Sequence, residues 1–327
     1  MKPGRVLLWS FAAWAAGLYA MNNSWSARPT GDLTVLAHRG VHQTYPSEGL
    51  TRETCTASRI HTPTTPFLEN TLASMREAFR LGADGVELDV HPTTDGEFAV
   101  FHDWTLDCRT DGKGVAREQS MAYLRTLDVG YGYTADGGQT YPFRGKGVGL
   151  MPTLAEVLAA FPDKDFQINI KSNDPDEARK LDAYLRARPQ LDARRLTWFG
   201  GDRPIRRLRA LRPGIVATSK PEAKRCLKDY LLTGWTGRVP ATCRNAVIAA
   251  PEGLRVFLWG WPHRFLSRMQ SAGSEVYLAG PVKWSVQSVE GVDTPESVAR
   301  IPKGWRGGVQ TDRIEVSGPL LRPKPPA

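Results

Sequence analysis

The chain predicts an α/β fold, a single (β/α)₈ TIM barrel with long inserts after the first and third strands. Three observations predict it. Short β-branched or apolar runs alternate with helical stretches along the whole length, the pattern of a parallel sheet with crossover helices. Roughly eight such units fit into about 300 residues, which favours a closed barrel over an open sheet. No Gly-x-Gly-x-x-Gly follows the first apolar run, which weakens a dinucleotide-binding fold.

The elements follow in order. Residues 33–37 read as the first strand. Asn70 or Thr71 caps a helix that runs to Gly82, because Leu72, Met75, Ala78 and Phe79 repeat at helical spacing. Residues 85–90 and 97–101 read as strands. Thr153 and Glu156 form a capping box that opens a helix to Phe161. Strands at 166–170, 195–199, 215–218, 256–259, 275–278 and 308–311 alternate with helices at 177–187, 204–211 and 264–272. Residues 41–68 and 104–150 do not fit a minimal barrel. Both follow strands, so both belong on the carboxyl-terminal face, where barrel active sites sit. The domain reading is an N-terminal segment 1–27, a barrel 28–318 and a Pro-rich tail 319–327 without regular structure.

The 327 residues carry 43 Lys and Arg against 34 Asp and Glu, a net charge of +9. No run of five or six like charges and no nucleic-acid motif occurs, so nucleic acid is not an expected partner. The basic balance suits an anionic small molecule or a membrane surface. Residues 6–21 are uncharged and mostly apolar behind Lys2 and Arg5, the pattern of an export signal. Leu18 and Trp25 spoil the best cleavage sites, so residues 6–27 are either removed or kept as an anchor. In both cases the rest of the chain lies outside the cytoplasm, periplasmic or extracellular. A monomer is expected.

Export makes the four cysteines informative. The choice lies between four buried thiols and two disulfides. Cys55 and Cys108 fall in the two inserts and so share a barrel face, while Cys226 and Cys243 lie within one segment. The expected pairs are therefore Cys55–Cys108 and Cys226–Cys243.

The chemistry sits at the ends of the apolar runs. His38-Arg39-Gly40 ends the first, Glu87-Leu88-Asp89 occupies the second and His102-Asp103 ends the third. Residues two apart on a strand share a face, so Glu87 and Asp89 project together, where a hard cation can bridge them. His38 and His102 are candidate acid and base. Arg39 can fork onto phosphate oxygens as Lys cannot. Glu69-Asn70 either orients the site or caps the next helix. His91, before Pro92, is placed on the rim. Trp104, Tyr131, Tyr133, Tyr141, Trp259 and Trp261 are candidates for the pocket edge or for packing.

In this order His38-Arg39-Gly40, Glu69-Asn70-Thr71, Glu87-Leu88-Asp89-Val90 and Phe101-His102-Asp103 resemble the glycerophosphodiester phosphodiesterase family. Thr311-Asp312-Arg313 resembles that family's closing strand. The resemblance covers residues 33–172 well and 300–313 weakly. It implies a barrel enzyme that uses a divalent cation, Mg²⁺ or Ca²⁺, to cleave glycerophosphodiesters to glycerol phosphate and an alcohol. The metal would bind Glu87, Asp89 and the residue two before Lys171. That residue is acidic in the family and is Asn169 here. An amide oxygen still binds a hard cation but brings no charge. Lys171 shares the face of Asn169 and is expected on the phosphate. Lysophospholipase D and sphingomyelinase D enzymes share this barrel, so a lysophospholipid is an alternative substrate. A catalytically impaired phosphodiester-binding protein is a third reading, supported by Asn169.

Overall fold

The computed structural model describes residues 3–51, 54–191, 196–283 and 288–323, apart from the side chains of 3–8, 283 and 288. The strands are β1 (Thr34–His38), β2 (Gly85–Pro92), β3 (Phe98–Val100), β4 (Asp165–Ile170), β5 (Leu196–Gly200), β6 (Ala217–Ser219), β7 (Val247–Pro251), β8 (Glu275–Ala279), β9 (Val282–Lys283), β10 (Ser288–Val289) and β11 (Gly308–Thr311). The helices are α1 (Pro3–Asn22), α2 (Leu72–Arg80), α3 (Met121–Leu124), α4 (Leu154–Ala160), α5 (Pro175–Arg186), α6 (Asp202–Leu211), α7 (Lys220–Thr233), α8 (Glu252–Arg255), α9 (His263–Ser271), α10 (Pro295–Ala299) and α11 (Ile314–Leu321).

Eight parallel strands form a nearly closed barrel in the order β6-β5-β4-β2-β1-β11-β8-β7. The remaining gap is bridged singly: Ala217 N–H donates to Asn245 O and Val247 N–H donates to Thr218 Oγ1. Register sets the site. His38 lies beside Glu87, and Asp89 lies beside Asn169. These side chains therefore form two adjacent layers at the carboxyl end of the barrel.

The third predicted strand is not a barrel wall. β3 runs antiparallel to β2, with Val90 opposite Val100 and Pro92 opposite Phe98. The hairpin brings the chain back down, so that Phe101 N–H donates to Asp89 O. His102 thus enters the site from a descending limb. Because β2 runs through Pro92 and is covered by β3, His91 is fully buried instead of lying on the rim.

Other departures have similar physical causes. The apolar run 256–259 is not a strand: Val256 and Phe257 face solvent, and only Leu258 of that group is buried. The wall there is β7, whose Ala249 and Ala250 carry little β propensity. Trp261 packs on Trp305, which donates to the carbonyl of Gly308 at the amino-terminal end of β11. Trp259 donates to Leu231 O near the end of α7. Neither tryptophan edges the carboxyl-terminal face. The final helix α11 takes in Pro319, Leu320 and Leu321, so the expected structureless tail begins later. Residues 324–327 of that tail, and Arg195 of the expected strand 195–199, lie outside the described residues.

The N-terminal apolar segment is the helix α1. Among the described residues, no helix is long and apolar enough to cross a membrane. The end of α1 and the residues just after it are stitched to the barrel: Arg268 donates to Asn22 and to Met21 O, and Ser24 donates to Gly260 O.

The two inserts pack into one body with its own core, including Ala57, Ile60, Leu106, Leu124, Tyr133 and Phe143. Cys55 and Cys108 are bonded across it, and Cys226 is bonded to Cys243. The insert backbones also meet closely. A Cβ on Gly132 would fall 1.9 Å from Cys108 O, so only glycine fits there.

Candidate active site

His38 is the last residue of β1. Its Nδ1 lies 2.5 Å from Asp312 Oδ1, and its Nε2 lies 3.6 Å from Glu87 Oε2. Asp312 follows β11, the strand neighbouring β1, which explains why residues 274 positions apart meet. Gly291 N–H donates to the other Asp312 oxygen, fixing the carboxylate. Burial and the Arg39 charge pull the His38 pKa down, but Asp312 and Glu87 outweigh them, and the net shift is upward.

His102 has the same arrangement with a local partner: its Nδ1 lies 2.7 Å from Asp103 Oδ1. Burial, then the charges of Arg39 and Lys171, lower its pKa to about 4. Each imidazole is thus held at Nδ1 by a carboxylate, the bond that fixes ring orientation and tautomer.

Glu87 and Asp89 are both buried, but their surroundings differ. Asp89 is saturated. Arg39 Nε lies 3.1 Å from Oδ2 and Lys171 Nζ lies 3.2 Å from Oδ1. Asn70 donates to Oδ2 at 3.2 Å and Asn169 donates to Oδ1 at 3.0 Å. Burial opposes its charge, but Lys171 and Arg39 hold its pKa well below the usual range. Among the described residues, Glu87 Oε2 has no hydrogen-bond partner. Burial and the Asp89 charge push the Glu87 pKa up to about 7. A buried carboxylate oxygen without a donor, beside a second carboxylate, has the chemistry to accept a cation.

Glu69-Asn70 orients the site. Glu69 Oε1 accepts from Arg39 at 3.1 Å, and Asn70 reaches Asp89. The helix cap is Thr71, whose hydroxyl accepts from Ser74 N–H while Ser74 reaches back. Arg39 and Asn70 both have φ of 58°, the left-handed region, and Asn70 N–H donates to Arg39 O. These two tight bends turn both side chains toward β2.

Several residues here escaped sequence reasoning. His42 is buried 5.8 Å from the His38 ring, edge to face. His38, His42 and Asp312 offer ligand atoms within 4.8 Å of one another. Asp312 lies in the closing-strand motif, yet its pairing with His38 needed the strand order. Arg109 is buried and lies 3.0 Å from Glu69 Oε2 and 2.9 Å from Asp103 Oδ2. Its only sequence signal was its place beside Cys108. Among the aromatic candidates, Trp104 stands over His91 with ring centroids 6.0 Å apart. Tyr131 and Tyr141 stack on Arg144, and Tyr133 packs within the insert.

The family model described as "Glycerophosphoryl diester phosphodiesterase family" matches residues 38–205. A glycerophosphodiester phosphodiesterase of Caldanaerobacter subterraneus subsp. tengcongensis is 41% identical over 103 residues, 32% of this chain and 39% of that protein. One from Bacillus subtilis is 37% identical over 123 residues, 36% of this chain and 41% of its own length. The chain spans about two fifths of the length of these curated relatives. Among solved structures, the glycerophosphoryl diester phosphodiesterase domain of a Mycobacterium tuberculosis protein superposes with TM-score 0.61 at 17% identity, over 89% of this chain and 100% of that one. An Oleispira antarctica phosphodiesterase, in complex with the product sn-glycerol-3-phosphate, superposes with TM-score 0.53 at 18% identity, over 88% and 97%. At these identities the superpositions establish the barrel fold.

Proposed function

This chain belongs to the glycerophosphoryl diester phosphodiesterase family, and we propose that it hydrolyses glycerophosphodiesters to glycerol phosphate and an alcohol. The observation that carries the reading is the pairing of two imidazoles, each held at Nδ1 by its own carboxylate, around the Glu87–Asp89 pair. Phosphodiester cleavage needs one group to take a proton from the nucleophile and another to protonate the leaving oxygen. Binding alone needs neither.

In this reading His38 and His102 are the acid and base. Arg39 and Lys171 face the phosphate and offset the charge that grows on it. Both now lie on Asp89, so bound phosphate competes with that carboxylate for their donors. Glu87, Asp89 and Asn169 would hold a divalent cation, Mg²⁺ or Ca²⁺, and the unpartnered Glu87 oxygen fits that role. When bound, the cation acts as a Lewis acid on a phosphoryl oxygen. Asn169 currently turns its amide nitrogen to Asp89, which leaves its oxygen for a ligand.

The second insert exposes Trp104, Tyr131, Val148 and Leu150, which supports a second reading in which the substrate is a lysophospholipid and the leaving alcohol its head group. Two disulfides suit an exported protein, consistent with placement outside the cytoplasm. The test is release of glycerol phosphate by the full chain, with Mg²⁺ or Ca²⁺, from glycerophosphocholine, glycerophosphoethanolamine and glycerophosphoglycerol. Lysophosphatidylcholine is assayed in parallel for release of its head group. Release from the soluble diesters supports the first reading, and turnover of the lysolipid alone the second. No release from any of them overturns both.

A further inference from the structure

We infer that Arg109 is a positioning residue that couples Arg39 to His102, and that the Cys55–Cys108 disulfide sets it in place. The inference rests on the functional reading above and deepens it. Arg109 is buried and stands behind the reacting groups. Its guanidinium reaches four partners from separate parts of the chain. Nη1 lies 3.0 Å from Glu69 Oε2 and donates to Tyr133 Oη at 2.7 Å. Nη2 donates to Thr56 Oγ1 at 2.7 Å, and Nε lies 2.9 Å from Asp103 Oδ2.

Two of those partners lead into the site. The second Glu69 oxygen accepts from Arg39 at 3.1 Å. The second Asp103 oxygen is 2.7 Å from His102 Nδ1. The chain Arg39–Glu69–Arg109–Asp103–His102 therefore alternates in charge from the phosphate-facing guanidinium to an imidazole. Removing its centre leaves Glu69 with Arg39 as its remaining charge partner here, and leaves Asp103 free to turn with its histidine. Both ends of the substrate site lose their reference point. The planar fork is what lets one side chain reach four oxygens, two by hydrogen bonds and two by ion pairs, and the point charge of a lysine cannot.

The other two partners explain how the fold holds Arg109. Thr56 follows Cys55 and Arg109 follows Cys108, so the disulfide and the Thr56–Arg109 hydrogen bond are consecutive links between the same two segments. Tyr133 joins from the second insert. The two inserts act as the clamp of a part that the barrel strands alone do not position.

The test is steady-state kinetics of the full chain with Arg109→Gln, Asp103→Asn and the double variant, on a glycerophosphodiester that the wild type turns over. The coupling predicts that Arg109→Gln lowers kcat at least about tenfold and raises KM about threefold, since both the imidazole and the phosphate-facing arginine shift. In the Asp103→Asn background the same change costs less than about threefold in kcat, because its route to His102 is already cut. The double variant removes one charge of each sign, which keeps the test alive if the single variant folds poorly. A fall in kcat that merely matches the folded fraction by circular dichroism, with wild-type KM, overturns the inference. So do fully additive losses in the double variant, or wild-type kinetics in folded Arg109→Gln. A wild type that releases no glycerol phosphate overturns the functional reading and this role together.

Discussion

The amino-terminal half of the barrel, β1 to β4 with the two inserts, buries Arg39, Glu69, Glu87, Asp89, His91 and Arg109. Level with Asp89 in register, the carboxyl-terminal half, β5 to β8, carries Phe199 and Thr218, and on the other face of its strands Trp198, Ala217, Ala250 and Leu278 join apolar clusters that include the helix residues Leu208, Tyr230, Phe265 and Met269. The backbone architecture is the same in both. Burying unpaired charge costs several kcal/mol per group, so a cluster of this kind persists only where each charge has a partner. The disulfides repeat the contrast. Cys55–Cys108 sits next to Arg109 and the charge chain, whereas Cys226–Cys243 joins α7 to the turn before β7. One half holds the charged cluster, and the other completes the cylinder and lends Asp312.

That contrast breaks most visibly at the paired carboxylates. Glu87→Gln and Asp89→Asn should each nearly abolish turnover. Asp89→Asn also leaves Arg39 and Lys171 facing an uncharged amide. Wild-type rates in either variant would remove that carboxylate from the site. His38→Ala and His102→Ala should each lose on the order of 10² to 10⁴ in kcat, the usual worth of an acid or base, with smaller changes in substrate binding. Near wild-type turnover in either would end the two-histidine account.

Acid should strike the amino-terminal half first. Burial opposes the Glu69 charge, but Arg109 and Arg39 hold its pKa at about 2 against an ordinary 4.5. The folded value is the lower one. Its contribution is therefore complete above pH 4.5 and drains away as pH falls toward 2, up to about 3 kcal/mol. Denaturant titrations at pH 6 and pH 3 should show a larger loss for wild type than for Glu69→Gln. Equal losses would contradict the assignment.

The two disulfides offer a finer comparison. Replacing Cys226 and Cys243 by Ser should cost roughly 3 kcal/mol in the chain-entropy account and leave kcat unchanged in the folded fraction. Replacing Cys55 and Cys108 should cost roughly 4 kcal/mol by the same account and also lower kcat about tenfold. Equal kinetics for the two pairs, at matched folded fraction, would erase the distinction. The smallest effect lies at Asn169. Asn169→Asp should tighten Mg²⁺ or Ca²⁺ binding in a calorimetric titration, and an unchanged curve would remove residue 169 from the ligand set.

The amino-terminal half was also the more legible one. His38 ends β1, and Glu87 and Asp89 alternate within β2, where local periodicity places them on one face; register then sets His38 beside Glu87 and Asp89 beside Asn169. His102 was found by its motif, but its route was not, because a three-residue antiparallel strand reads like any other apolar run. Asp312 and Arg109 depend on strand order and on how the inserts fold back, which no local pattern encodes. In the other half, the Val256–Trp259 run outweighed Val247–Pro251 by propensity. Tertiary burial of Ile248 and Ala250 decided otherwise. The helix α7 carries a Ser219–Glu222 capping box, a local signal legible in the sequence of that half.

The central claim, that the cluster in the amino-terminal half turns over a phosphodiester with a bound cation, is tested most directly by chelation. Glycerol phosphate release by the full chain should stop in excess chelator and return when Mg²⁺ or Ca²⁺ is restored. Full turnover in excess chelator would contradict it.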